Sequence, residues 1–449
     1  MTELRGIDDL DHGELAVLVR EYLLCGHLID RAGMPHVISK FGREVMGDIA
    51  IDEWMGASPI YTRRMQRLLG FEGDSVETIF KGMQFDVGAP PEFLDFRYRV
   101  IDHDHGEFWL DHCGALMDVE PMGDEFVHTM CHTIEDPTFD ATACATNPRA
   151  RMTPVHRPPR LPADRQPHCH WNVDIVADAE PVAEPEPAIR LARTRLAQLP
   201  LPEIPPPPPG SVRQMTTETV SSAEQNGQGA RTEGARTEGA WDDYRAPLDP
   251  DLRTERFSRG VLLALAEEIG VQWHLLSMSF LSAVERRSSV EDAVAIGARQ
   301  FAGIAGLTAE RLRRALGLGT ELADVAQVLE LHPAFRPRSY IDWRVELTTD
   351  DEGGQELRVH LGDGPALHES GGESWMSILR DGHAQALDAI AHAVDPRAHC
   401  VTEPARGGAV ASWRIVVGDE PRPESDDVAL TRFSKGADFE FTETPVALS

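Results

Sequence analysis

The chain has 449 residues and carries 74 acidic against 43 basic side chains, a formal net charge of −31. That excess repels nucleic-acid phosphates and anionic membrane surfaces and argues against both as partners. Six unevenly placed cysteines do not make a disulfide framework and point to a reducing, cytoplasmic setting. No signal-peptide core follows Met1, and no apolar run is read as long enough to span a membrane.

In chain order, apolar positions at helical spacing (Leu15, Leu18, Val19, Tyr22, Leu23) predict a helix over 13–32, and a second follows over 58–70, closed by Gly70. Two strands, 93–101 and 107–112, flank the polar turn 102–106. A helix over 123–134 is expected to end at Asp136-Pro137. The Pro- and Arg-rich stretch 138–167 reads as an insertion and candidate lid, and a last strand covers 168–176. Residues 177–248, with the run Pro205–Pro209 and the direct repeat 230–239, read as a disordered linker in which 189–199 is at most one isolated helix. The same order returns: helices over 257–284 and 307–317, strands 340–347 and 356–361, a helix over 375–394, a strand over 410–417, and an acidic tail from 421. The expected fold is α+β, a tandem repeat in which N-terminal helices, a hairpin, a helix and a final strand build a small antiparallel sheet. Residues 1–176 form one copy and 249–420 the other.

The repeat is visible in the residues. Laid over 262–347 at a constant offset of 247, residues 15–100 share sixteen identities without a gap, among them Glu21/Glu268, His27/His274, Gly56/Gly303 and Arg64/Arg311. Composition alone would give roughly a third as many. With small gaps, 390–396 echoes 130–137 and Trp413 echoes Trp171. In that alignment Cys113, Cys131 and Cys169 face Gly362 (within one position), Ala391 and Ala411, so three thiols belong to the first copy alone.

On the last strand, alternation puts Cys169 and Trp171 on the core face, with His168 and His170 opposite. The three thiols are expected to converge in one half-buried pocket. Buried cysteine also behaves as a small hydrophobe, so a purely structural role stands beside the functional one. The run 106–174 resembles the L-2-amino-thiazoline-4-carboxylate hydrolase family. The resemblance rests on a strand ending in Cys113, a helix with Cys131 followed closely by an acid (Glu135, Asp136), and a strand opening on His168-Cys169 before Trp171. It covers about 70 residues and departs from the family in its second, thiol-less copy and in the long stretch 138–167. It implies an α+β hydrolase domain acting on a C–N bond.

Two chemistries stay open. In one, a thiolate, Cys131 in first place, attacks an amidine-like or carbonyl carbon while His132 or Asp136 moves the proton. In the other, Cys113, Cys131 and Cys169 hold one transition metal such as zinc, with His156, His168 or His170 as fourth ligand and a bound water as nucleophile. The alternative to an enzyme is a binding or sensor protein using the same pocket for a metal or small ligand. Expected partners are a small-molecule substrate or ligand and intramolecular pairing of the two copies, with a homo-oligomer as a further option. His27 and His274, kept in both copies, read as core histidines. Phosphate-binding loops, dinucleotide fingerprints, His-Glu-x-x-His and Gly-x-Ser-x-Gly are absent.

Overall fold

The computed structural model describes residues 4–205, 239, 241–349 and 353–442. The first half runs α1 (His12–His27), α2 (Ile29–Phe41), α3 (Arg43–Leu69), α4 (Val76–Met83), β1 (Leu94–Val100), β2 (His105–Cys113), α5 (Gly114–Val119) and α6 (Asp124–His128). A π-helical turn (Thr129–Ile134) leads into α7 (Glu135–Cys144), then β3 (Ala150–His156), β4 (Cys169–Ile175) and α8 (Glu186–Leu191). The second half runs α9 (Arg259–Arg287), α10 (Val290–Ala315), α11 (Leu322–Leu331), β5 (Trp343–Thr349), β6 (Gln355–Leu361), α12 (Trp375–Arg380), α13 (Gln385–Val394), β7 (Ala398–Glu403), β8 (Ala411–Val417) and α14 (Asp426–Thr431). The fold is α+β, two similar halves each built of helices on one antiparallel sheet.

Local chemistry sets the element ends. Asp11 accepts from the Glu14 N–H at the start of α1 while Glu14 reaches back to the Asp11 N–H, satisfying two donors that the first turn leaves free. Gly70 and Gly317 take φ +68° and +63° beyond α3 and α10, a left-handed conformation that a Cβ disfavours. The sheets have the order β1-β2-β4-β3 and β5-β6-β8-β7, with Phe108 opposite Trp171 and Val359 opposite Trp413. Period-two alternation turns Phe108, Leu110, Cys169 and Trp171 inward, and all four are buried.

Four sequence expectations are corrected. The helix expected to stop at Asp136-Pro137 runs on to Cys144; Pro137 enters it just after the π-helical turn Thr129–Ile134, where the regular i to i−4 ladder is already interrupted. The stretch 138–167 is not an insertion throughout. It holds most of α7 and β3, which α13 and β7 match, and only the β3–β4 connection (157–168 against 404–410) is longer. The repeat register in this region also shifts. Asn147 accepts from Arg149 N–H at 3.0 Å as Asp395 does from Arg397 at 2.9 Å. Asp140 accepts from Met152 N–H as Asp388 does from Cys400, both at 2.9 Å. Residues 142–150 therefore match 390–398, with five identities in nine, and Cys131 does not stand opposite Ala391. Finally, helix α9 is long and apolar enough by composition to cross a membrane, contrary to the sequence reading, but its apolar residues are buried against the other helices of this fold.

The stretch read as a linker is partly folded. Helix α8 packs on α3 and α9, and Ala188, Leu196 and Tyr244 are fully buried. The proline run beyond Pro205 and the direct repeat up to its last residue, Gly239, lie outside the described residues.

The two halves meet about a pseudo-twofold axis. Arg64 of α3 makes a two-pronged pair with Glu268 of α9 at 2.6 and 2.9 Å and donates to the carbonyls of Ala197 and Leu199. Arg311 of α10 does the same with Glu21 of α1 at 2.7 and 3.1 Å and with the carbonyls of Ala437 and Phe439. All four charged side chains are buried, a position ionic groups occupy only when paired. Each half thus lays the arm that follows its last strand across the other half, 186–199 one way and 426–441 the other. The kept glycines have the same origin. A Cβ on Gly56 would lie 2.1 Å from Ser279 Oγ, and one on Gly303 would lie 2.5 Å from Thr431 Oγ1.

Candidate functional site

A cavity of about 100 Å³ lies in the first half between the N-terminal helices and the inner face of the sheet. His27, Asp30, Arg31 and Trp54 line its helical wall, and Cys113, Glu135 and Cys169 line the wall toward the sheet. Cys113 ends β2 and Cys169 begins β4, so the sheet itself presents both sulfurs. Cys131 sits behind them, 1% exposed, at the π-helical turn, a backbone widening often found at functional sites.

Electrostatics in this cavity favour neutral groups. Burial pushes the Cys113 thiol up to about 12, and the Leu116 N–H donating to its sulfur at 3.4 Å opposes that only in part. Cys131 and Cys169 are raised well above the usual thiol range by burial and by the nearby Glu135 carboxyl. Glu135 is itself raised to about 8, again by burial, with Arg157 pulling the other way. Its Oε2 has no hydrogen-bond partner. A carboxyl in this state is a proton donor at neutral pH.

The helical wall is ionic. Arg31 donates to Asp118 Oδ2 at 3.2 Å and to Asp30 Oδ2 at 2.7 Å, while Asp30 Oδ1, like His27 Nδ1, is buried without a partner. Burial, then the Arg31 charge, holds His27 well below the usual imidazole range, so it is neutral. Glu53, fully buried with both oxygens unpartnered, is raised well above the carboxylate range by burial and by Asp30, and is a neutral acid. Asp86 is raised to about 6 by burial and accepts from Tyr61 Oη and the Gly88 N–H, both at 2.6 Å.

Of the residues singled out in the sequence, Cys113, Cys131 and Cys169 come together and the others do not join them. His132 turns to the Pro158 carbonyl at 2.6 Å and stacks on His128, and Asp136 pairs with Arg157 at the surface, so neither serves Cys131. His170 pairs with Glu107 at 3.0 Å on the outer face of the sheet, His156 meets the Pro167 carbonyl, and the His168 ring lies beside His112. The expected fourth ligand is therefore not supplied by these histidines. No group of three or more His, Cys, Asp or Glu side chains among the described residues stands at metal-holding spacing.

The residues that sequence reasoning missed are Asp30, Arg31, Glu53, Trp54 and Glu135. A signal for four of them was present at the offset of 247, where the second half has Ser277, Met278, Gln300 and Phe301. Each ionisable group of the helical wall except His27 is replaced there by a neutral one. Gln300 is the neutral isostere of Glu53, and its amide is satisfied by the Ile29 carbonyl and Trp375 Nε1. Trp375, fully buried, stacks on Phe301 at 4.7 Å with His274 at 5.8 Å and fills the corresponding space. Thiols and buried charges are lost together in the half whose cavity is filled, while the interhalf pairs persist. Comparison with protein-family models, curated proteins and solved structures finds no match to this chain.

Proposed function

We propose that the first half is a small-molecule hydrolase acting on a C–N bond, and that its reacting groups are Cys113 and Glu135. The observation that carries this reading is the placement of the Glu135 carboxyl, one oxygen unpartnered, on the wall of the cavity that two thiols share, where burial raises it to about 8. The Cys113 S–H adds across an amidine-like C=N, forming the S–C bond, and its proton reaches the nitrogen through Glu135, which gives one proton and takes the other. The tetrahedral carbon then expels the nitrogen as an amine, and one water cleaves the S–C bond and restores the thiol. Both groups are neutral at the start, which is how a thiol with its ionisation suppressed can take part. Cys113 takes the place that spacing assigned to Cys131, because it faces the cavity and receives the Leu116 N–H at sulfur. Free thiols throughout suit a cytoplasmic enzyme.

A second reading, a binding or sensor protein, is favoured by one observation: all three thiols are buried and held protonated, the reverse of a reactive cysteine. Amine release from a panel of small amidines and cyclic amides separates the two. The enzyme reading expects turnover that falls at least about a hundredfold in Cys113→Ser and in Glu135→Gln. Panel members that bind in calorimetry without any amine release would overturn it in favour of binding.

A further inference from the structure

We propose that the second half completes the first half's site: its C-terminal arm, through Ser434 and the Lys435 N–H, positions Arg31 and closes the cavity from above. The chain of contacts is continuous. Ser434 Oγ donates to Asp118 Oδ2 at 2.8 Å and the Lys435 N–H donates to Asp118 Oδ1 at 2.7 Å. Asp118, with its side chain wholly buried, accepts from Arg31 Nε, and Arg31 lines the cavity. Asp118 therefore meets three donors, one from the wall of the site and two from the opposite half. Without the arm, this carboxylate keeps only Arg31 as a hydrogen-bond partner among the described residues.

The arm also packs on residues that flank Cys113. The Phe439 ring packs on Phe93 at 5.3 Å and lies 6.4 Å from the His112 ring. Phe93 in turn faces His27 at 5.7 Å and presses on Gly114, the residue after Cys113. Gly436 is seated so closely on Leu28 that a Cβ would lie 2.7 Å from its Cδ2. Arg311 holds the arm down through the carbonyls of Gly436, Ala437 and Phe439.

The mirror-related arm gives an internal comparison. There the N–H groups of Arg195 and Leu196 donate to Glu369 at 2.8 and 2.9 Å, and Glu369 accepts from Tyr340 Oη, the residue equivalent to Phe93. The same clasp exists on both sides. Only on the first side does its carboxylate continue to an arginine in an open cavity, because Arg31 is Met278 on the other side. The second half thus kept its arm while its own cavity was filled. Ser434 and Asp118 are positioning residues, acting on the site through Arg31.

The test reads thiol access and does not depend on a substrate, so it can fail separately from the hydrolase reading. Alkylation of the full chain by iodoacetamide is followed by peptide mass mapping in wild type, Ser434→Ala, Ser434→Thr, Phe439→Ala and a chain ending at residue 425. Loss of one hydrogen bond to a charged acceptor raises the population of arm-open molecules about tenfold to a hundredfold. Cys113 and Cys169 are therefore expected to react that much faster in Ser434→Ala, and faster than wild type in Phe439→Ala, which loses the ring packed on Phe93. Ser434→Thr, which keeps the hydroxyl, should restore the wild-type rate, and Cys400, in the second half's sheet, should be unchanged in every point variant. Should the truncated chain fail to fold, the point variants still decide the matter. Unchanged rates at Cys113 and Cys169, or an equal rise at Cys400, would overturn the proposal, the latter by showing general loosening.

Discussion

Replacing Glu135 by Gln tests the electrostatics of the cavity with a single atom exchanged. A carboxyl whose folded value is about 8 against 4.5 when exposed is protonated in the folded chain and ionised in the unfolded chain over that interval. The folded state then binds more protons, so stability falls as pH rises from about 4.5 to about 8, and is level on either side. At 1.36 kcal/mol per pH unit the full loss is about 5 kcal/mol. This is a ceiling, since Glu135 keeps some accessible surface. Gln keeps the shape and the polar contacts of the neutral acid but cannot ionise. Glu135→Gln is therefore expected to match wild type at pH 4 and to exceed it increasingly up to pH 8, by as much as about 5 kcal/mol. Urea unfolding at half-unit pH steps, read as the difference between the two chains, isolates this group from Asp86 and Glu53, whose contributions cancel. A difference that stays flat, or that grows below pH 4.5 instead, would show an ionised Glu135 and remove the proton donor from the proposed chemistry. A more stable variant without activity would be the usual exchange of stability for a strained functional group.

Glu268→Gln should destabilise the chain by about 3–5 kcal/mol by leaving the buried Arg64 without its carboxylate, whereas Arg64→Met with Glu268→Leu should recover most of that, as measured by guanidinium midpoints. Gly56→Ala should lower the thermal midpoint, since the added methyl meets Ser279 Oγ at 2.1 Å and overpacking of this kind costs about 1–3 kcal/mol; an unchanged midpoint would mean that the helices part freely at this point. In NMR titration His27 should stay neutral as pH falls through the ordinary histidine range. His103, raised by Asp104 and Asp74, and His105, raised by Asp102, should gain their proton earlier as pH falls, above the ordinary histidine value. Protonation of His27 near pH 6.5 would contradict its burial.

Much of the fold was legible because it is written in local periodicities and written twice. Helical spacing, the two C-terminal glycines and strict alternation around Cys169 and Trp171 each depend on neighbours within a few residues. The gapless offset then identified Glu21, Arg64, Glu268 and Arg311 as scaffold, although nothing local says that each arginine reaches the other half. The stretch from Thr138 to Pro167 misled because Pro and Arg weaken the periodic signal, while the strand Ala150–His156 is held by its pairing with β4. The arms misled for a related reason. Their few apolar residues, such as Ala188 and Leu196, cannot form a core alone, and they are buried only because the other half is there to cover them.

The site divides along the same line. The sequence by itself singled out three thiols and the copy that holds them, because a missing side chain is visible in an alignment. It could not set Glu135 apart from Asp136, two adjacent acids in one helix that differ only in the way they face. Tertiary structure decided that Glu135 turns into a low-dielectric cavity and keeps its proton, while Asp136 turns out to Arg157. It also decided that Asp30 and Arg31, far earlier in the chain, line the same cavity as Cys113 and Cys169. Chain order carries no information about which faces meet. The meeting of those faces removes the water, and with it the ordinary protonation states of the groups inside.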